Sequence, residues 1–128
     1  MSKYNAKRSM DSYVKACPTS VDGHNFPSKL HASVYGVLKT MMLAGEISNI
    51  RCEVSIPIAG KLKLKVDFVV FNIRRCVDEA HESKGYRDKR YNAIEQAWFD
   101  TAPMDLIVWE GSYLRPKISK VIKGKNGL

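Results

Sequence analysis

The chain has 128 residues, 45% of them hydrophobic, which suits one domain with a sizeable core. It carries 21 Lys and Arg against 13 Asp and Glu, a net charge of +8, so a polyanion is the natural class of partner. No apolar run approaches the roughly 18–20 residues of a membrane span, and the opening Met-Ser-Lys-Tyr-Asn-Ala-Lys-Arg lacks the apolar stretch of a signal peptide, so the expectation is a soluble cytoplasmic protein that meets nucleic acid rather than lipid.

Residues 1–20 show no clear periodicity and read as a loosely packed arm carrying Lys3, Lys7, Arg8 and Lys15. Val21-Asp22-Gly23 is a turn signal, because Asp-Gly tolerates positive φ. Pro27-Ser28 opens a helix, with Ser28 as a good N-cap and Gly45 where the helix would stop. Between them Leu30, Val34, Val37, Leu38 and Met41 recur at helical spacing. Over Ile50–Ile58, Cys52, Val54 and Ile56 alternate with Arg51, Glu53 and Ser55, the period of a strand. Ala59-Gly60 turns the chain. In the next strand Leu62, Leu64, Val66 and Phe68 share one face, and Lys61, Lys63, Lys65 and Asp67 the other. The run turns fully apolar after Asp67, as in a strand entering the centre of a sheet.

Asn72 to Arg75 form the next turn, and Cys76–Lys84 a third strand on which Ala80, Glu82 and Lys84 point the same way. Gly85 ends it. A helix over roughly residues 88–99 places Tyr91, Ile94 and Trp98 at helical spacing. Met104–Trp109, bounded by Pro103 and Gly111, reads as a buried strand. From Lys117 the chain is a basic tail whose start forms at most a short, fraying strand. The order helix, three strands, helix, strand predicts an α/β domain with a mixed central sheet flanked by helices. The divisions are an arm over 1–20, a core over 21–116 and a tail over 117–128. Cys17, Cys52 and Cys76 match no zinc pattern, even with His24, His31 and His81 counted, and read as reduced structural thiols.

Two signals overlap near residue 80. Asp78-Glu79-Ala80-His81 spells a helicase box, but the chain has no G-x-x-x-x-G-K-[ST] loop and no room for two motor lobes. Glu82-Ser83-Lys84 is the other signal. Two adjacent antiparallel strands would set Asp67 beside Glu82 if the register suits. Two carboxylates make an oxygen-rich site for Mg²⁺, which polarises a phosphate and lowers the pKa of a bound water. Lys84 shares a face with Glu82 and would reach the same phosphate or orient the water. Lys61, Lys63 and Lys65 lead along one strand face to Asp67 and suit phosphate contacts; Arg87, Lys89 and Arg90, just past the triplet, extend the basic set. Against this, Glu82 and Lys84 also suit a solvated cross-strand pair of little energetic worth. Glu79 lies on the face opposite Lys84, Asp78 shares the Glu82 face and would flank the site, and His81 reads as an ordinary strand residue.

These residues resemble the PD-(D/E)xK nuclease superfamily, and within it a family of small, mostly phage-encoded proteins. The stretches that carry the resemblance are Val21-Asp22-Gly23 with Phe26-Pro27-Ser28-Lys29, Ala44-Gly45-Glu46-Ile47, Val66-Asp67-Phe68-Val69-Val70, and Glu82-Ser83-Lys84-Gly85. Together they span about residues 21–110. The resemblance implies a restriction-endonuclease-like α-β-β-β-α-β core. It implies Mg²⁺ or Mn²⁺ held by Asp67 and Glu82 with the Ser83 carbonyl, and Lys84 assisting hydrolysis. Relatives include restriction endonucleases and Holliday-junction resolvases, and a phage origin would mean the host cytoplasm. One departure stands out: His31 occupies the position of a usual glutamate early in the first helix. His31 is either a metal ligand suited to softer ions or simply the third position of a capping box that prefers Glu. Glu53 is either a further site acid or a solvated one.

Three function classes follow. The first is a metal-dependent endodeoxyribonuclease specific for branched DNA, which as a maker of two cuts would be a homodimer. The second is a nuclease-fold DNA-binding protein weakened or inactive in catalysis. The third is a basic structural or assembly protein, for example of a virion.

Overall fold

The computed structural model describes residues 19–59, 62–83 and 89–125. The elements run β1 (Thr19–Val21), β2 (His24–Phe26), α1 (Lys29–Leu43), β3 (Ile47–Ala59), β4 (Leu62–Asn72), β5 (Val77–Ser83), α2 (Lys89–Thr101), β6 (Asp105–Ser112) and β7 (Arg115–Ile122). This is an α/β fold: β3 to β7 lie in sequence order in a five-stranded sheet, and β1 pairs with β2 alone. Among the described strands only β5 and β6 are parallel, joined through α2, so the sheet is mixed. No described helix is long and apolar enough to cross a membrane.

Local chemistry sets the first elements. Asp22 and Gly23 both take positive φ, 54° and 80°, which is what a two-residue hairpin between β1 and β2 demands. Ser28 Oγ accepts the His31 N–H at 3.1 Å, capping α1. Gly45, at φ 80°, follows the C-cap residue Ala44 and stops the helix. The Asp22 carboxylate accepts hydrogen bonds from Tyr35 Oη at 3.1 Å and Lys39 Nζ at 2.9 Å, tying the hairpin to α1.

Each helix covers one face of the sheet. Leu30, Val34, Tyr35 and Leu38 of α1 pack with Phe26, Ile47, Phe68, Val70, Ile107 and Trp109. Trp98 and Ala102 of α2 pack with Ile56, Ile58, Val66, Val69, Ala80, Leu106, Val108 and Ile122. β6 is buried on both faces, with Ile107 and Trp109 on one side and Leu106 and Val108 on the other. That explains why it reads as an unbroken apolar run.

The face assignment in β3 and β4 differs from simple alternation. In β4, Leu64 and Val66 lie with α2, whereas Phe68 lies with α1. In β3, Cys52 lies with α1, while Val54 and Ile56 lie with α2. Both strands therefore change face, β3 at Glu53 and β4 at Asp67. Glu53 has φ 51°, a left-handed conformation inside a strand. The pairing register is unbroken across this residue, Cys52 with Phe68 and Val54 with Val66, so the face changes through local twist and not through an inserted residue, a change that period-two reading cannot foresee. A second difference is at the end of the chain: residues 115–122 form a full strand against β6 where the sequence suggests a fraying tail, because Ile122 joins the core beside Leu106.

Candidate functional site

The site lies where the β4–β5 ladder ends. The last pair is Phe68 with His81, so the next step sets Asp67 across from Glu82. Here each acid reaches the main chain of the other strand. The Asp67 N–H donates to Glu82 Oε1 at 3.2 Å. The Ser83 N–H and Ser83 Oγ donate to Asp67 Oδ2 at 2.8 and 2.7 Å. The two acids thus sit on neighbouring strands, each bonded to the main chain of the other.

α1 adds a third group. His31 is only 3% exposed, and its ring packs against Phe26 and Phe68, with centroids 5.0 and 5.1 Å apart. Its Nε2 stands 3.6 Å from Asp67 Oδ1, too long for a hydrogen bond. That buried nitrogen has no hydrogen-bond partner among the described residues. The capping-box reading of His31 is thus half of its role: its main-chain N–H meets Ser28, while its ring turns inward to Asp67 instead of reaching back to the cap.

Glu53 supplies the fourth. The flanking pairs Cys52 with Phe68 and Val54 with Val66 set Glu53 across β3 from Asp67. Its left-handed backbone costs of order 1–3 kcal/mol, and strain of that size in a non-glycine residue collects at functional sites. Because the strand changes face at this residue, Glu53 does not simply face away from both Cys52 and Val54, as strict alternation implies; those two lie on opposite faces.

Burial dominates the electrostatics. It lifts the Asp67 carboxyl above its ordinary value, with His31 and the Ser83 donors pulling the other way and Glu53 adding to the lift. Burial also lowers His31, against the opposing pull of Asp67 and Glu53. The corner therefore favours fewer net charges than its residue types suggest. A divalent cation would reverse that preference.

Among the described residues no three His, Cys, Asp or Glu donors already stand together as a metal cluster. Ions that keep several waters need only one or two protein carboxylates. Asp67 has Glu82 on one side and His31 on the other, and the His31 Nε2, which lacks a hydrogen bond, is the kind of buried atom an ion would satisfy. Carboxylate oxygens and an imidazole nitrogen are donor types that Mg²⁺ or Mn²⁺ would accept.

Lys63 and Lys65 are exposed and precede Asp67 on β4. Lys61, Lys84 and Arg87 lie outside the described residues, and of Lys89 and Arg90 only the backbone, in the first turn of α2, is described. Asp78 does not flank Asp67; it sits opposite Phe71 and pairs with Arg51 at 3.0 Å. Cys52 and Cys76 are free thiols.

A second buried polar group follows on β5, around the His81 that reads from the sequence as an ordinary strand residue. His81 Nδ1 accepts the Trp109 Nε1–H at 2.8 Å, and His81 Nε2 lies 3.4 Å from Glu79 Oε1. Asn72 Nδ2 donates to Glu79 Oε2 at 2.7 Å. Asp105 accepts the Gly124 N–H at 3.1 Å and faces Arg75 and Lys123 at 3.6 and 3.4 Å. The signal available in the sequence was the acid-rich, otherwise apolar setting of Glu79 and Asp105.

The chain matches no protein-family model, no curated protein and no solved structure.

Proposed function

We propose that the protein is a metal-dependent endodeoxyribonuclease of the PD-(D/E)xK type, suited to branched DNA such as a four-way junction. One observation carries the reading: Asp67 and Glu82, on neighbouring strands, meet at a ladder end beside a buried imidazole nitrogen without a partner. The order α1-β3-β4-β5-α2-β6 supports a restriction-endonuclease-like core.

Asp67 and Glu82 would hold Mg²⁺ or Mn²⁺, with the Ser83 carbonyl as a further oxygen. When bound, such an ion neutralises phosphate charge and makes a hydroxide-like water accessible near neutral pH. Ser83 fixes the rotamer of Asp67 through two hydrogen bonds, so that carboxylate meets its ligand already oriented. Lys84 assists hydrolysis from the position two residues after Glu82. Lys63 and Lys65 take phosphates along the strand that leads to Asp67, and Lys61, Arg87, Lys89 and Arg90 extend that basic track. Phosphate contacts give affinity without sequence choice, which suits recognition of DNA shape. Two cuts on one junction need two sites, hence a homodimer.

A nuclease-fold DNA-binding protein without turnover is the second reading. It is favoured by the hydrogen bonds that already occupy Asp67 Oδ2 and Glu82 Oε1, and by His31 in place of a glutamate.

Incubating the full chain with a four-way junction and Mg²⁺ or Mn²⁺ separates them. The nuclease reading expects paired cuts that vanish in Asp67→Ala. No cleavage above that variant removes the enzyme reading, and salt-sensitive binding that survives Glu82→Ala then selects the binding module.

A further inference from the structure

We propose that His31 Nε2 and Asp67 Oδ1 are two ligands of one divalent ion, with Glu53 as the carboxylate facing them, so that this corner prefers Mn²⁺-class transition ions over Mg²⁺. The proposal rests on the reading of this corner as a cation site, and adds which ion it selects and through which atoms.

Geometry carries it. The 3.6 Å between the two atoms exceeds a charge-assisted hydrogen bond by more than half an ångström. Two donors each about 2.1 Å from a shared ion stand roughly 3.0 Å apart at an octahedral angle and roughly 3.4 Å apart at a tetrahedral one. The observed gap is nearer to that spacing. The ring cannot be a casual neighbour, because Phe26 and Phe68 hold it from two sides. Its Nε2 is buried and has no hydrogen-bond partner among the described residues, a costly arrangement for a nitrogen that no ligand meets. Across β3, the left-handed backbone at Glu53 adds strain at the position opposite Asp67, where a third donor belongs.

Chemistry then sets the preference. Magnesium takes oxygen ligands and gives up its waters reluctantly. Imidazole nitrogen is a softer donor than oxygen, and the affinity of a site that contains it rises along the transition series from Mn²⁺ towards Cu²⁺. A glutamate at residue 31 would present oxygen and leave the corner to Mg²⁺. A histidine there shifts the choice without removing the site.

The test needs no DNA. The full chain, stripped by chelator, is titrated with Mn²⁺ and separately with Mg²⁺. The electron spin echo of bound Mn²⁺ is then read for modulation from a directly coordinated imidazole ¹⁴N. The expected result is one Mn²⁺ per chain with that modulation. In His31→Phe, which keeps a ring between Phe26 and Phe68, the modulation disappears. Its Mn²⁺ affinity falls about tenfold or more while Mg²⁺ affinity falls less, as loss of one nitrogen donor predicts. His31→Glu reverses the order of the two ions. Bound Mn²⁺ without nitrogen modulation overturns the proposal. So does modulation that persists in His31→Phe, equal Mn²⁺ affinity in that variant, or no Mn²⁺ bound at all. Failure here is separable from failure of the nuclease reading. A chain that cuts DNA with Mg²⁺ but shows no nitrogen on Mn²⁺ loses only this inference. A chain that binds Mn²⁺ through His31 and leaves every DNA uncut loses only the nuclease.

Discussion

Two of the described histidines are buried beside carboxylates, His81 by the buried Glu79 and His31 by the partly buried Asp67, and they are treated differently. His81 is satisfied on both ring nitrogens, by Trp109 and by Glu79. Burial pushes the Glu79 carboxyl up, but His81, Asn72 and Arg75 together outweigh it and leave it below its ordinary value. His31 keeps one nitrogen unpartnered, and burial leaves its acid, Asp67, above its ordinary value. The first corner is complete as it stands and stabilises the sheet. The second leaves an imidazole nitrogen without a hydrogen bond near a left-handed strand residue, the pattern that the proposed ion site would have. The contrast between partnered and unpartnered groups separates the two roles better than the residue types do, since both corners contain a histidine and acids.

Substitutions can break that contrast, and the largest effect belongs to the incomplete corner. Asp67→Ala should reduce metal-dependent DNA cleavage on the order of a thousandfold, the scale of several kcal/mol of lost metal chemistry, while leaving the fold intact by circular dichroism. The complete corner should answer in the opposite currency. His81→Leu leaves the Trp109 N–H without its acceptor and Glu79 Oε1 without its donor, so denaturant unfolding should show a loss of about 3 kcal/mol, with Mn²⁺ affinity unchanged. If His81→Leu abolished metal binding and left stability alone, the assignment of roles would be reversed.

Much of the fold is legible in the sequence where local rules act alone. Ser28 and Gly45 bracket α1, Asp22-Gly23 makes the hairpin turn, and β6 reads as a buried strand because both of its faces are covered. Neighbouring strands also bring Asp67 next to Glu82, as the spacing suggests. What escapes is what long-range packing decides. The change of face at Glu53 and Asp67 has no glycine or asparagine to announce it, so Phe68 reads as a face-mate of Val66 although the two lie on opposite sides. Whether His31 turns inward cannot be read from a capping pattern, because that pattern fixes its N–H and not its ring. The network around Glu79 and Asp105 depends on burial, which neighbours far along the chain provide.

Smaller effects sharpen the comparison through stability. Burial raises the Asp67 carboxyl above its ordinary value of 3.8, so the folded chain holds that proton more tightly than the unfolded one. Its contribution to stability is then full below that value and is lost as pH rises through the folded one. Near neutral pH the ionised group opposes folding. Asp67→Asn should therefore raise the melting temperature by roughly 2–4 °C at pH about 8, with the gain shrinking towards pH about 4. A variant that melts lower at both pH values would show Asp67 to be as structural as Glu79. The smallest effect expected is at Glu53→Gly. Removing a Cβ from a left-handed residue should add about 0.5–1 kcal/mol by chemical denaturation, while Mn²⁺ binds more weakly.

The central claim is that the corner formed by Asp67, Glu82 and His31 takes a divalent ion. A crystal grown with Mn²⁺ and measured for anomalous scattering tests it directly. The account predicts one peak per chain, about 2.0–2.3 Å from an Asp67 carboxylate oxygen. A well-ordered crystal with no peak there, or with its strongest peak elsewhere on the chain, contradicts it.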